Sequence, residues 1–286
     1  MEDELVQWVA EITADDNPKV VGTLPGSTTA TLYVVKCNGT SLVLRRYDRA
    51  VVEADPHIAN REVAGLVAGR HALDDLVPEV VASDVDGAVA GAPAVLMTFA
   101  TGAPAVRGLE LEQLAVPMAK LHRRQAPAEL VAHVPPFPSA EFGVPEWTTN
   151  EDAWNRALAF LEREAPAAPT VFLHGDYHPG NVLWHQGELS GVVDWAEACA
   201  GPAMRDVAHC RTNLAFLGSI SHAEEFLSNY SSRSPGYVHD KWWDLAEVVS
   251  MSQSLDGVLA LNAFGAGLDN EAAHRRADAW LLHVLD

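Results

Sequence analysis

Apolar residues recur at helical spacing from the start of the chain, where Leu5, Val6, Trp8, Val9 and Ile12 predict a short amphipathic helix. The period then shortens to two. Strands are predicted over residues 20–24, 30–37 and 41–47, the last two joined by Asn38-Gly39, a dipeptide suited to a tight hairpin. The first two strands flank Pro25-Gly26-Ser27-Thr28. Asp55-Pro56 reads as an N-cap followed by proline at the first helical position, opening a helix to about residue 73 with Ala59, Val63 and Leu66 on its core stripe. Strands near 80–83 and 94–99, with a turn at Asp86-Gly87, complete an antiparallel sheet of about five strands.

Beyond Thr101-Gly102 the pattern turns helical, with helices predicted over 109–124, 152–164, 206–217, 222–230, 242–261 and 271–285. Pro117 is expected to kink or break the first of these. Residues 126–147 hold Pro127, Pro135, Pro136, Pro138 and Pro145 without a clear period, and predict a loop over the helical part. The fold class is therefore α+β in two lobes, a sheet-rich N-terminal lobe over residues 1–100 and a mainly helical C-terminal lobe over 101–286.

Composition narrows the partners. The 286 residues carry 39 acidic against 19 basic side chains, a formal net charge of -20, and such a field repels nucleic acid and anionic membranes. The acidic start, Met1-Glu2-Asp3-Glu4, does not resemble an export signal. The most apolar stretch, 89–106, is interrupted by Gly91, Pro93, Gly102 and Pro104, which suits a strand and hinge better than a membrane helix. The cysteines, Cys37, Cys199 and Cys210, are odd in number and lack metal or redox spacing, which fits a reducing cytoplasm. Nothing in the sequence specifies an oligomeric state.

Candidate chemistry is concentrated in His174-Gly175-Asp176-Tyr177-His178-Pro179-Gly180-Asn181 and in Val193-Asp194-Trp195. Between them Val182-Leu183-Trp184, a turn at Gln186-Gly187 and Gly191-Val192 predict a hairpin that returns Asp194 to the end occupied by Asn181. Phosphoryl transfer needs such a set. Magnesium takes oxygen ligands, for which Asn181 and Asp194 are candidates, and a separate carboxylate, Asp176, is positioned to orient an attacking hydroxyl. The order Asp, Asn, Asp and the first spacing are those of the protein-kinase signature.

These two segments resemble the aminoglycoside phosphotransferase-like family of small-molecule kinases, and the resemblance covers nearly the whole chain. It implies a bilobal protein-kinase-like fold with Mg and ATP or GTP held between the lobes. It also implies transfer of the γ-phosphate to a hydroxyl of a small molecule, such as an aminoglycoside or another antibiotic, with Asp176 as the catalytic base. Gly26, Ser27 and Thr28 resemble the family's nucleotide loop, although a full G-x-G-x-x-G is missing. Arg45 stands where many kinases place a phosphate-binding lysine, with Glu62 as its expected ion-pair partner and Val43 on the same strand face. Met97 and Phe99 match the hinge whose backbone binds the base, and Asp206 resembles an aspartate that braces the catalytic loop.

Two other classes stay open on the residues alone. His174, Asp176 and His178 form a His-x-Asp-x-His set that suits a metal-dependent hydrolase, a reading that leaves Asn181, Asp194, Arg45 and Glu62 without a role. A non-catalytic nucleotide-binding regulator on the same scaffold is the third, and the retained Asp176, Asn181 and Asp194 argue against it. No activation segment ending in Ala-Pro-Glu follows Asp194, which favours a small acceptor over a protein one. The acidic excess extends the expectation to a cationic acceptor, with Glu197, Asp256, Trp242 and Trp243 as possible wall residues.

Overall fold

The amphipathic start and the strand alternation are both realised in the computed structural model, which describes residues 3–286. Met1 and Glu2, part of the acidic start, lie outside the described residues. Helix α1 (Asp3–Thr13) is followed by β1 (Lys19–Leu24), β2 (Ala30–Cys37), β3 (Thr40–Tyr47), helices α2 (Arg49–Ala54) and α3 (Ile58–Leu73), then β4 (Val80–Asp84) and β5 (Ala94–Thr98). The strands form one antiparallel sheet of five in the order β1-β2-β3-β5-β4. Asn38 and Gly39 both adopt positive φ, +49° and +80°, as the twist of a two-residue hairpin requires.

Strand β3 lies at the centre of the sheet, and its alternation divides the molecule. Leu42 and Leu44 face a small outer core with Leu5, Trp8 and Val9 of α1 and Leu96 of β5. Val43, Arg45 and Tyr47 face the other way, where Val43 and Tyr47 join the main core with Val95, Met97 and Leu66 of α3. Arg45 is thus carried by strand alternation into the space beneath the sheet.

The remainder is mainly helical. A short strand β6 (Ala103–Pro104), helices α4 (Leu111–Leu121) and α5 (Glu151–Leu161), and strand β7 (Thr170–Leu173) lead to a 3₁₀ turn (Pro179–Asn181) and the hairpin β8 (Val182–His185) and β9 (Glu188–Val192). Strand β10 (Cys199–Pro202) pairs with β7, and helices α6 (Ala203–Leu217), α7 (Ile220–Arg233), α8 (Lys241–Met251), α9 (Asp256–Ala260) and α10 (Asn270–Leu285) complete the chain. Helix α6 is buried from Asp206 to Leu217 and is the axis of this half.

Four expectations are corrected. Asp55 does not cap a helix: it closes α2, and its carboxylate accepts from Arg61 Nη2 (2.6 Å) and the His57 N–H (3.1 Å), so α3 begins only at Ile58. Of the kink or break expected at Pro117, the break does not occur: α4 runs on through the proline, which is buried. The helix predicted over 242–261 is two helices, because Ser252-Gln253-Ser254 breaks it and Ser254 Oγ bonds Asp256 Oδ2 at 3.0 Å. Trp242 and Trp243 are core residues, 1% and 3% exposed, and do not line an acceptor site.

Helix α3 approaches the 194–198 segment so closely that side chains are excluded. A Cβ at Gly65 would lie 2.6 Å from the Ala198 Cβ and 3.0 Å from the Trp195 carbonyl oxygen, and one at Gly69 would lie 2.7 Å from the Trp195 ring. Alanine gains about 1 kcal/mol of helix propensity over glycine, while overpacking costs about 1–3 kcal/mol. Gly65→Ala is therefore expected to lower the thermal midpoint, whereas Gly257→Ala in α9, where a Cβ meets nothing within 4 Å, is expected to leave or raise it. Calorimetric melts of the two variants check the contrast.

Candidate active site

The loop after β7 is held from below by one buried carboxylate. Asp206, in the first turn of α6, accepts the backbone N–H of His174 (2.8 Å) and of Gly175 (3.0 Å), and His122 Nε2 lies 3.3 Å from its Oδ2. Burial by itself would raise this carboxyl, but the bond and charge from His122, with Arg205 and His174, hold it below the usual carboxylate range. Gly175 sits at φ +86°, and a Cβ there would strike the Glu197 carbonyl.

Above this anchor the loop is closed by its own polar groups. The Asp176 N–H donates to His174 Nδ1 (3.2 Å), so the opposite ring nitrogen carries the proton that meets the Val193 carbonyl at 3.1 Å. His174 therefore joins the loop to the segment bearing Asp194. His178 Nδ1 accepts from the Gly180 N–H at 3.0 Å and caps the 3₁₀ turn that presents Asn181. Asn181 Nδ2 donates to Asp176 Oδ2 (2.8 Å) and to the Asp176 carbonyl (2.9 Å), and the Asn181 carbonyl accepts from the Val193 N–H (2.9 Å). The hairpin thus returns Asp194 beside Asn181, with Asp194 itself in the left-handed region at φ +64°.

From the sheet, Arg45 reaches the same point. Its Nη1 bonds Glu62 Oε1 at 2.9 Å and Asp194 Oδ1 at 2.8 Å, and its Nη2 bonds Thr29 Oγ1 at 3.0 Å. Tyr47 donates its hydroxyl to the second Glu62 oxygen. Burial opposes the Arg45 charge, but Asp194 and Glu62 outweigh it and hold the guanidinium firmly charged. Glu62 is pushed up by burial against the opposing pull of Arg45.

Gly26, Ser27, Thr28, Arg45, Glu62, Met97, Phe99, Asp176, Asn181 and Asp194, the residues assigned nucleotide, metal and base roles from the sequence, line a single cavity of about 470 Å³. One end is apolar, walled by Leu24, Leu32, Val43, Met97, Phe99 and Leu183. The other, past Asp176, is walled by Glu197, Asn213, Met251, Val258, Leu261 and Phe264. Gly26, at φ +97°, touches the Phe264 ring so closely that a Cβ would collide with it, which joins the turn between β1 and β2 to a 3₁₀ turn (Leu261–Phe264) that follows α9. Asp256 is not among the lining residues.

His209, Asn213, Thr29, Met251 and Phe264 were not singled out by sequence reasoning. One signal for the first two exists: Asp206, His209 and Asn213 are spaced i, i+3, i+7 on α6, a polar stripe on an otherwise buried helix. His209 Nε2 lies 2.9 Å from Asp176 Oδ1 and its Nδ1 lies 2.7 Å from Glu247 Oε1. Burial disfavours charge on this ring, but Glu247 and Asp176 push it up to about 9. Burial likewise would raise Asp176, yet His178 and His209 hold it well below the usual carboxylate range.

The cluster also bears on metal binding. Among the described residues Asp176, His178 and His209 lie close enough to share an ion, whereas His174 faces the Val193 carbonyl and is no part of the group. His178 accepts a backbone N–H on Nδ1, which puts the proton of its neutral ring on Nε2, the atom 3.6 Å from Asp176. That tautomer has no lone pair on Nε2 for a transition metal. The oxygen donors Asn181 and Asp194 fit a hard cation better. The Asn181 amide nitrogen is occupied by Asp176, which turns its carbonyl oxygen the other way, and Asp194 engages Arg45 through Oδ1, leaving its Oδ2.

Residues 22–243 match the family described as "Phosphotransferase enzyme family". A homoserine kinase of Chelativorans sp. (strain BNC1) is 28% identical over 215 residues, 66% of this chain and 62% of the relative, so the match spans under two thirds of that curated protein. Among solved structures, macrolide 2'-phosphotransferase MphH from Brachybacterium faecium aligns over 97% of this chain and 98% of its own at 19% identity and a TM-score of 0.58. A thermostable mutant of aminoglycoside phosphotransferase APH(4)-Ia, in ternary complex with AMP-PNP and hygromycin B, aligns over 98% of both chains at 17% identity and a TM-score of 0.61. At these identities the structural likeness establishes the protein-kinase-like bilobal fold, an antiparallel sheet above a helical half.

The raised pKa of His209 makes stability pH-dependent. Its folded value of about 9 lies above the ordinary 6.5, so the protonated ring favours the folded state. That contribution is complete below about pH 6.5 and is lost as pH rises through about 9. The thermal midpoint is expected to fall across this interval, and His209→Gln, which carries no titrating proton, is expected to flatten the fall. Melts at pH 6 to 9.5 in both proteins check it.

Proposed function

Because the chain belongs to the phosphotransferase enzyme family, we propose that it transfers the γ-phosphate of Mg-bound ATP or GTP to a hydroxyl group of a small molecule. The observation that carries this reading is the convergence of Asp176, Asn181 and Asp194 at one point of one cavity, with Arg45 and the Gly26 turn beside them. The apolar end between β3, β5 and Leu183 suits a purine base, whose edge would face the backbone of Met97 to Phe99. Arg45, fixed between Glu62 and Asp194, offers permanent positive charge to phosphate oxygens, and its planar fork takes the place of the more common lysine ammonium.

Asn181 and Asp194 are the residues that would hold magnesium, which when bound neutralises charge on the phosphates. The protein's own part is to hold Asp176 beside the acceptor hydroxyl. In the transfer the acceptor oxygen forms a bond to the γ-phosphorus while the bond from that phosphorus to the bridging oxygen breaks. The nucleoside diphosphate leaves, and the proton of the hydroxyl ends on Asp176.

The net acidity of the chain does not concentrate in this cavity. Of its lining carboxylates, Glu62 and Asp194 are paired with Arg45 and Asp176 with His209, while Glu197 stands at the rim with Arg61 at 3.5 Å. Met251, Val258, Leu261 and Phe264 supply the rest of that end together with Asn213. These walls favour an acceptor with an apolar body and one amine near Glu197 over a polycation such as an aminoglycoside, so the cationic expectation is narrowed to a single ammonium group. Homoserine kinases and macrolide and aminoglycoside phosphotransferases are the relatives that suggest the panel.

Incubation with Mg and ATP or GTP, and a panel of amino alcohols, homoserine, macrolides and aminoglycosides, followed by ³¹P NMR, is expected to show a phosphate ester from the mono-amine members. Asp176→Asn is expected to lower turnover by about 10²–10⁴-fold with nucleotide binding retained, because the amide cannot take the proton. Asp194→Ala is expected to lose the Mg-dependent part of nucleotide affinity in calorimetry. Unchanged turnover in the first variant, or unchanged Mg-dependence in the second, contradicts the assignment of that residue.

A further inference from the structure

The side chain that contacts Asp176 from the helical half has no place in the phosphotransfer motif. His209 is 9% exposed and both of its ring nitrogens face carboxylate oxygens, Nδ1 that of Glu247 at 2.7 Å and Nε2 that of Asp176 at 2.9 Å. Two acceptors on opposite edges of one imidazole require a proton on each nitrogen. Asn213, one helical turn further along α6, donates its Nδ2 to the His209 carbonyl at 3.0 Å and has the same nitrogen 3.2 Å from His209 Nε2, longer than the 2.9 Å from Nε2 to Asp176 Oδ1, so the Nε2–H is directed to the carboxylate and Asn213 packs beside the ring.

We propose that His209, held by Glu247 of α8, is a positioning residue that sets the rotation of the Asp176 carboxylate by donating its Nε2–H to Oδ1. The second carboxylate oxygen is taken by Asn181 Nδ2 at 2.8 Å, so the group is gripped on both oxygens by donors from different elements. Without the α6 donor, rotation about the last side-chain bond would be restrained from the Asn181 side alone. The lone pair that must meet the acceptor hydroxyl would then wander from its line of attack. Such misplacement by about 1 Å costs on the order of 10²-fold in rate.

The geometry also separates this role from that of Asp206 on the same helix. Asp206 bonds backbone N–H groups and shapes the loop, whereas His209 bonds a side-chain oxygen and leaves the backbone alone. Removal of His209 should therefore lower turnover at temperatures where the variant is still folded, beyond any fall in its thermal midpoint, and leave nucleotide affinity little changed. Glu247 acts one step further back: it orients the ring and balances its charge, with Arg205 and His133 as further charged or titratable neighbours.

This inference rests on the reading of Asp176 as the base, and the experiment keeps the two apart. Full-length wild type, Asp176→Asn, His209→Ala, His209→Gln and Glu247→Gln are compared for Mg-nucleotide hydrolysis with water as acceptor, and for transfer to any acceptor found in the panel. The expected result is a fall in kcat of about 100-fold for His209→Ala with KM for nucleotide within about 2-fold of wild type. Added imidazole is expected to restore part of that loss, and His209→Gln, whose amide can still donate to Asp176, is expected to retain more activity than the alanine variant. Loss in Asp176→Asn with unchanged kcat in His209→Ala overturns the positioning role alone. So does a loss in His209→Ala that neither imidazole nor the glutamine variant relieves. Full activity in Asp176→Asn overturns the base itself, and the positioning role with it.

Discussion

A single buried carboxylate organises the site. Asp206 receives two consecutive backbone N–H groups, those of His174 and Gly175, at the point where β7 ends and the loop bearing Asp176 and Asn181 begins. Backbone donors buried at a loop base must be satisfied, and a charged acceptor does so strongly. Because Asp206 belongs to the first turn of the buried helix α6, the loop takes its position from the core of the helical half and not from its own turns. His174 extends that order sideways to Val193, and the β8–β9 hairpin extends it to Asp194. Disturbance of one backbone contact would be felt at each of the three oxygen-bearing side chains.

Charge in the cavity is arranged in closed sets. Arg45 balances Glu62 and Asp194 from above, and His209 balances Asp176 and Glu247 from below. Such pairs are costly to leave half made in a partly buried space, so their geometry is tightly specified. They also limit what the cavity can attract: the net charge of -20 lies mostly on the exterior, and Glu197 is left as the carboxylate at the rim. The Phe264 contact with Gly26 joins the helical wall of the cavity to the turn between β1 and β2.

Much of this was legible in the residues because the decisive contacts are short in sequence or carried by a period. The Asn38-Gly39 hairpin demands positive φ, which those residues tolerate, and the alternation of β3 placed Val43 and Arg45 on one face. Asp176, Asn181 and Asp194 are joined by a loop and a hairpin whose turn, Gln186-Gly187, is again of positive φ. What escaped has equally physical causes. Helix α2 buries no residue and so has no apolar stripe, and strands β6, β7 and β10 are too short for alternation to show. Asp55-Pro56 looked like a helix start because the Arg61 that claims its carboxylate is visible only after folding. His209 and Glu247 meet across two helices, and a spacing argument along one chain segment cannot reveal that meeting, although the polar stripe Asp206, His209, Asn213 marks the face involved.

In the proposed transfer the metal belongs to oxygen ligands on the Asn181 and Asp194 side of the cavity and the proton to Asp176. A crystal structure with manganese in place of magnesium, a non-hydrolysable ATP or GTP analogue and anomalous scattering at the manganese edge would locate the cation directly. The expected density lies between the phosphates and the oxygens of Asn181 and Asp194, with Asp176 uncoordinated and still bonded to His209. A cation bound instead by Asp176, His178 and His209, with Asn181 and Asp194 unengaged, would contradict the phosphotransfer assignment and favour metal-activated hydrolysis.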